Sequence, residues 1–319
     1  MKHLLSIDDV SREDIERLLA RAESFAEVSG RPIKKVPALR GRTIINLFYE
    51  ASTRTSSSFE LAAKRLSADV INVKSSGSSV EKGESLKDTV QTLSAYDPSA
   101  IVIRSPHAGA AAQIARWTPA SVVNAGDGKH EHPTQALLDL YTLRRRVGAL
   151  DGTKLWIVGD VLHSRVARSN ILAFTKMGCE VTVCGPPTLI PRGIEQLGCE
   201  VRYSLSGIEG ADVIYALRMQ RERMEGAFVP SLREYAACYQ IDGRRLRPHQ
   251  LLMHPGPVNR GVELSAEAID SPQALITQQV ESGVVVRMAV LFDVLSGANE
   301  PVTESSPESP APAPIGGAA

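Results

Sequence analysis

The sequence carries no surplus of either charge: Lys plus Arg and Asp plus Glu each number 36. A chain so balanced has no global basic field of the kind that draws proteins to nucleic acid or anionic membranes, so any cationic site in it must be local. Long apolar runs are also missing, and nothing approaches the roughly 18 residues of a membrane span. Met1 to Val10 holds Asp8 and Asp9 where a signal peptide would need an apolar core. These absences predict a soluble, cytoplasmic protein with no nucleic-acid or membrane partner. The cysteines are few, Cys179, Cys184, Cys199 and Cys238, with no C-x-x-C pair and no histidine at metal spacing. Zinc and redox motifs are therefore unsupported, and buried, reduced thiols are expected.

At 319 residues the chain exceeds what one typical core supports, which predicts two domains of similar size. Ser11 to Val28 puts Ile15, Leu18, Leu19, Ala22, Phe25 and Ala26 on one helical face, with Ser11 and Asp14 spaced as an N-terminal cap. Thr43 to Tyr49 reads as a buried strand and Ser58 to Leu66 as a helix. Further strands are expected at Asp69 to Val73, Ala100 to Arg104, Lys154 to Val158, Glu180 to Cys184, Ala211 to Ala216 and Leu251 to His254. Strands separated by helical stretches imply an α/β fold, two domains that are each a parallel sheet flanked by helices. No internal repeat stands out, although Gly41-Arg42-Thr43 and Gly152-Thr153-Lys154 both precede a strand. Pro133 to Val147 reads as an interdomain helix and Gly283 to Leu295 as another. The expected division is 1–133, completed by a helix at about 284–299, then 134–283. The Pro-, Ser- and Ala-rich tail at 300–319 is expected to be disordered.

Ser52-Thr53-Arg54-Thr55-Ser56-Ser57-Ser58 falls between a strand end and a helix start, where free backbone N–H groups and the helix dipole favour an anion. An over-polar helix cap would use similar residues. Arg54 in the first turn, where a cation is disfavoured, points to phosphate instead. Gly159-Asp160-Val161-Leu162-His163-Ser164 follows a strand but lacks the G-x-G-x-x-G glycines, so no nucleotide cofactor is expected. His130-Glu131-His132 is followed by Pro133, which suits a helix start better than two ligands on one strand face, so no metal is expected.

Phe48 to Thr55 resembles the S-T-R-T signature of the aspartate/ornithine carbamoyltransferase family. The similarity continues through Gly77 to Ser85, Ile103-Arg104, Asn124 to Gly128, His132-Pro133-Thr134-Gln135, Gly159-Asp160, Arg218-Met219-Gln220 and His254-Pro255-Gly256-Pro257. It spans nearly the whole chain except the tail, and Ser56 stands where relatives often carry a basic residue. The resemblance implies transfer of the carbamoyl group of carbamoyl phosphate to an amino group, giving phosphate and a carbamoyl amino acid, with no cofactor. It implies that Ser52, Thr53, Arg54 and Thr55 hold the phosphate, that Thr55, Arg104 and His132 donate to the carbonyl oxygen, and that Gln135 lies near the carbamoyl nitrogen. Arg165, Arg218 and Gln220 would grip the second substrate, with Gly256 and Pro257 beside it. Glu50, Arg165 and Arg223 would hold the domains closed. Ser78 and Lys82 would reach into a neighbouring subunit, making a homotrimer with shared active sites.

Ornithine carries a second ammonium, and its enzymes resemble one another in an H-C-L-P motif. Here His254-Pro255-Gly256-Pro257 stands in that place, and Arg218 and Gln220 suit a dicarboxylate. The expected acceptor is therefore L-aspartate and the product N-carbamoyl-L-aspartate, a step of de novo pyrimidine biosynthesis. Regulatory or dihydroorotase-type partner chains are compatible with the resemblance. A silent anion-binding scaffold is the competing reading; it would be expected to have lost some of these residues, whereas Arg54, Lys82, Arg104, His132, Gln135, Arg165 and Arg218 are all present.

Overall fold

Ser11 starts the first helix, α1 (Arg12–Ser29), by accepting the Asp14 N–H on its hydroxyl at 3.1 Å, the cap that the spacing predicts. Ile15, Leu18, Leu19 and Ala22 are buried as expected, whereas Phe25 and Ala26, at the rim of that face, are only partly covered. The computed structural model describes residues 1–74, 83–224, 226 and 228–296, so the tail from 300 lies outside it.

Two parallel sheets follow. The first contains β1 (Thr43–Phe48), β2 (Asp69–Lys74), β3 (Ala100–Ser105) and β4 (Ser121–Asp127) in the order β2-β1-β3-β4. The second contains β5 (Lys154–Val158), β6 (Glu180–Cys184), β7 (Glu200–Arg202), β8 (Val213–Ala216) and β9 (Leu251–Met253) in the order β7-β6-β5-β8-β9. Every pairing within them is parallel. The two Gly-led triplets each precede an inner strand, β1 and β5, that pairs on both sides.

The two-domain α/β expectation holds, with local differences. Strand β4 escaped the pattern because Asn, Gly and Asp are poor strand formers; its seven residues are nonetheless all buried. There the Asn124 amide is satisfied by the Leu5 carbonyl and the Asp127 carboxylate, both at 2.9 Å. Strand β7 is a three-residue edge, too short to show an alternation. Strand β8 starts at Val213 and β9 ends at Met253, which leaves His254 in the loop after it. Cys179, Cys184 and Cys199 are buried free thiols, with burial raising the first two to about 12 and the third to about 11. Cys238 departs from expectation: it is exposed on helix α7 (Leu232–Tyr239).

Helices α2 (Thr53–Arg65), α3 (Leu86–Ser94), α4 (Ala110–Trp117), α5 (Pro133–Val147), α6 (Arg165–Lys176) and α8 (Ala266–Ile269) connect the strands or flank the sheets. Helix α9 runs Ile276–Ser296, longer at its start than the apolar stretch suggested, because its first turns are polar. It packs on α1, α2 and α5 and delivers Val286, Met288, Leu291 and Leu295 to the core that also holds Leu4, Ile15, Phe59 and Tyr141. Each such side chain stabilises the fold by about 1.5–3 kcal/mol. Asp293 on α9 takes hydrogen bonds from Arg17 at 3.2 Å and Arg21 at 2.6 Å, which fixes α9 along α1. Among the described residues, no helix is long and apolar enough to cross a membrane.

Candidate active site

In parallel sheets of this kind the strand order reverses at one place, and the loops after the two strands there part to leave a crevice. Strands β1 and β3 meet at that place in the first sheet, β5 and β8 in the second. The chain after β1 supplies Glu50 to Thr55, β3 supplies Arg104, the chain after β5 supplies Ser164 and Arg165, and the chain after β8 supplies Arg218, Gln220 and Arg223. With His132 and Gln135 at the start of α5 and His254 to Pro257 after β9, they line one cleft of 510 Å³. Every predicted site residue that the structure describes faces it. Ser78 and Lys82 lie outside the described residues.

Helix α2 begins at Thr53, five residues before the helix read from the sequence, so the signature itself forms the first turn. Its first helical bond joins the Ser56 N–H to the Ser52 carbonyl at 3.0 Å, and the amides of Thr53, Arg54 and Thr55 precede any carbonyl in the helix. Ser52 is the cap residue, yet its hydroxyl caps nothing. The Ser56 hydroxyl is turned back on the Ser52 carbonyl at 2.7 Å, so this departure from the family pattern is used inside the turn. An anion at this turn would meet free amides, hydroxyls and the Arg54 guanidinium together.

Next to this turn, one carboxylate faces three guanidinium groups. Glu50 accepts from Arg165 at 2.5 Å and from Arg223 at 3.4 Å, and Arg104 Nε stands 3.5 Å away as an ion pair. Arg223 also donates to the carbonyls of Gly128 and His163, both at 3.2 Å. One carboxylate does not neutralise three cations. Burial, together with Arg165, Arg223 and Arg287, pushes Arg104 down to about 9 against the pull of Glu50. Arg104 stays protonated at neutral pH, in a field that favours a bound anion. Its Nε, Arg165 Nη1 and His132 Nδ1 are buried donors or acceptors without a hydrogen-bond partner in the protein.

His132 is almost wholly buried, with Nε2 3.5 Å from the Thr55 hydroxyl and its backbone N–H held by Ser169 at 2.8 Å. Burial, then Arg104, Arg287 and Arg165, hold its imidazole well below the ordinary value. It is thus neutral at pH 7 and suited to donate one hydrogen bond to a carbonyl. His130, two residues earlier, points to Asp127 instead at 3.1 Å, and that bond raises it. The two histidines therefore diverge. In an NMR titration from pH 9 to 6, His130 is expected to gain its proton early and His132 to show no step; a step at His132 near 6.5 would contradict this field.

From the second sheet, Asp160 accepts the Gln220 backbone N–H at 3.2 Å and the His163 ring at 2.8 Å, which sets the turn carrying Gln220. Arg218 is hydrogen-bonded to Glu222 four residues on. Gly256 has φ +65°, and a Cβ there would stand 2.9 Å from the Arg54 guanidinium carbon. The second sheet's loop thus lies directly on Arg54; the positive φ suits glycine, and a side chain there would have to push the Arg54 guanidinium aside. Gly126, at φ +116°, likewise leaves room for Arg165, whose Nε would stand 3.1 Å from an added Cβ.

Several cleft residues were not singled out from sequence. Glu222 had a signal in its four-residue spacing from Arg218. Arg287, buried on α9 and stacked over Phe59 at 5.1 Å, had one as a lone arginine in an apolar helix. Gln279 joins the His254 N–H to Asp139, a long-range contact with no local signal.

Residues 2–145 match the model of the aspartate/ornithine carbamoyltransferase carbamoyl-P binding domain, and residues 151–294 match that of the Asp/Orn binding domain. The aspartate carbamoyltransferase catalytic subunit of Acidothermus cellulolyticus is 55% identical over 321 residues, covering 99% of each chain. That of Salinispora arenicola is 56% identical over 94% of this chain and 99% of its own. Among solved structures, the catalytic subunit of M. jannaschii aspartate transcarbamoylase superposes with TM-score 0.83 at 36% identity, over 94% of this chain and 100% of the other. The Trypanosoma cruzi aspartate transcarbamoylase in complex with N-(phosphonacetyl)-L-aspartic acid does so with TM-score 0.83 at 32% identity, over 92% and 96%. Two domain models in the order of the two sheets, and full-length relatives at more than half identity, agree with the cleft's chemistry: the chain belongs to the aspartate/ornithine carbamoyltransferase family.

Proposed function

We propose that the chain transfers the carbamoyl group of carbamoyl phosphate to the amino group of L-aspartate. Two anion-binding groups facing across one cleft carry this reading: the turn Ser52 to Thr55 with Arg104 and His132 on one side, Arg165 with Arg218 and Gln220 on the other. Transfer needs no enzyme nucleophile, because the amine attacks an activated carbonyl and phosphate leaves with the bonding pair. The protein's work is to hold two anions together and stabilise charge on the carbonyl oxygen. Ser52, Thr53, Arg54 and Thr55 hold the phosphate; Thr55, Arg104 and His132 donate to the oxygen; Gln135 accepts from the carbamoyl nitrogen. Arg165 and Arg218 bind the aspartate carboxylates, Gln220 assists, and Gly256 and Pro257 close over the site. Arg218 exchanges Glu222 for a substrate carboxylate.

The two domains divide at about residue 133, with α9 returning to the first. Ser78 and Lys82 complete the site of a neighbour in a trimer, and phosphate, neighbouring loop and aspartate then meet at the domain cleft. Relatives solved with carbamoyl phosphate and aspartate support the choice of substrates. Purified chain supplied with carbamoyl phosphate is expected to turn over with aspartate and leave ornithine untouched. Turnover with ornithine would overturn the roles of Arg218 and Gln220, and turnover with neither would return the scaffold reading.

A further inference from the structure

Asp139 has no place in the reading above, yet it is fully buried on α5 among Leu137, Leu138, Leu140 and Tyr141. A buried carboxylate is costly unless its oxygens are satisfied, and here they are. Oδ1 accepts from Gln135 Nε2 at 3.0 Å and Gln279 Nε2 at 2.7 Å; Oδ2 accepts from Asn170 Nδ2 at 3.0 Å and Tyr215 Oη at 2.7 Å. These donors come from α5, α9, α6 and β8, so one carboxylate gathers elements of both halves. An ionised carboxylate can only accept. The NH₂ of Gln135 must therefore face Asp139, and its carbonyl oxygen is the atom it can offer the cleft. Gln279 is fixed at both ends, since its oxygen takes the His254 N–H at 3.0 Å, at the start of the loop that carries Gly256 and Pro257.

We infer that Asp139 is a positioning residue: it holds the Gln135 amide with its oxygen toward the carbamoyl nitrogen, and so makes the site choose an NH₂ over an isosteric methyl. The inference rests on the carbamoyl-transfer reading and deepens it. A Gln135 free to turn would present its own NH₂ half the time, and the choice would fade. Burial raises Asp139 to about 6 against its four hydrogen bonds, which leaves it ionised at the alkaline pH of an assay.

Acetyl phosphate tests this, because it keeps the phosphate and the carbonyl and replaces the NH₂ by a methyl. The quantity to measure at pH 8 is the acetyl phosphate inhibition constant divided by the KM for carbamoyl phosphate. In Asp139→Ala this ratio is expected to fall about tenfold, the size of one ordinary hydrogen bond. Asp139→Asn is expected to restore most of it, since its oxygen can serve Gln135 and Gln279 while Asn170 turns over and the Tyr215 hydroxyl accepts. Asp139→Leu, which keeps the branched shape without an acceptor, serves where the alanine chain does not fold. A merely structural role would weaken both ligands alike, and an unchanged ratio overturns the inference. If wild-type chain in the same assay transfers nothing to aspartate, the functional reading itself fails; if it transfers and the ratio holds in the variants, only the role of Asp139 does.

Discussion

Arg54→Ala chains are expected to lose about a thousandfold in kcat, the upper range for removing one preorganised donor at a developing charge. With phosphate held at the α2 turn as proposed, it leaves with a full bonding pair, so charge there grows between the bound state and the transition state. The Arg54 guanidinium is the only full positive charge in that first turn, and the amides and hydroxyls that remain carry partial charges. Binding of carbamoyl phosphate should fall much less than kcat, because the ground-state phosphate already meets the turn's other donors. Arg54 is exposed on the cleft wall and helix α2 keeps its apolar face, so the melting temperature should change little. Mixing provides a second check. If the neighbouring subunit's Lys82 completes each site, Arg54→Ala and Lys82→Ala chains, each inactive alone, should recover about one quarter of wild-type activity when combined equally, since half the chains lend each intact part. No recovery after mixing would refute shared sites, and Arg54→Ala at near wild-type rate would refute the cradle.

Glu50→Ala should act on the other substrate. Glu50 is the anionic partner that joins Arg104 of the first sheet to Arg165 and Arg223 of the second half. Deleting it leaves three like charges facing one another across the cleft. Removing one member of a buried pair costs about 3–5 kcal/mol, and partial exposure of Glu50 reduces this to about 1–3 kcal/mol. Because the loss falls on the juxtaposition of the two halves, the aspartate KM is expected to rise about 10- to 100-fold while the carbamoyl phosphate curve shifts little. Glu50→Gln, with a hydrogen bond and no charge, should fall between. Saturation curves for both substrates decide it: an unchanged aspartate curve removes the interdomain role.

The parallel sheets were legible because β3 and β5 carry continuous apolar runs, and β1 one interrupted only by Asn46, as a strand covered on both faces requires. Strand β4 was hidden because Asn124, Gly126 and Asp127 are poor strand formers, and their burial rests on hydrogen bonds both near in sequence, as from Asn124 to Asp127, and distant, as from Asn124 to Leu5. The site was legible wherever a motif was local: Ser52 to Thr55, His132 to Gln135, Arg218 to Gln220. Of what is assembled from distant segments, the ion pairs of Glu50 with Arg165 and Arg223 were expected from the family resemblance alone; the rest was not. Glu50 meeting Arg104 had no signal of its own, and neither did Gly256 lying on Arg54 or Asp139 collecting four donors. Such contacts follow from how the halves dock, a property of the folded chain as a whole.

Helix α9 puts a condition on the order of events at the ribosome. The first sheet and α1 emerge early, but their apolar face is finished by Val286, Met288, Leu291 and Leu295, which follow the entire second sheet. The nascent first domain thus waits, with part of its core open, while the second is synthesised. In such chains the partly built domain is the aggregation-prone species, and protection by chaperones matters most during that interval.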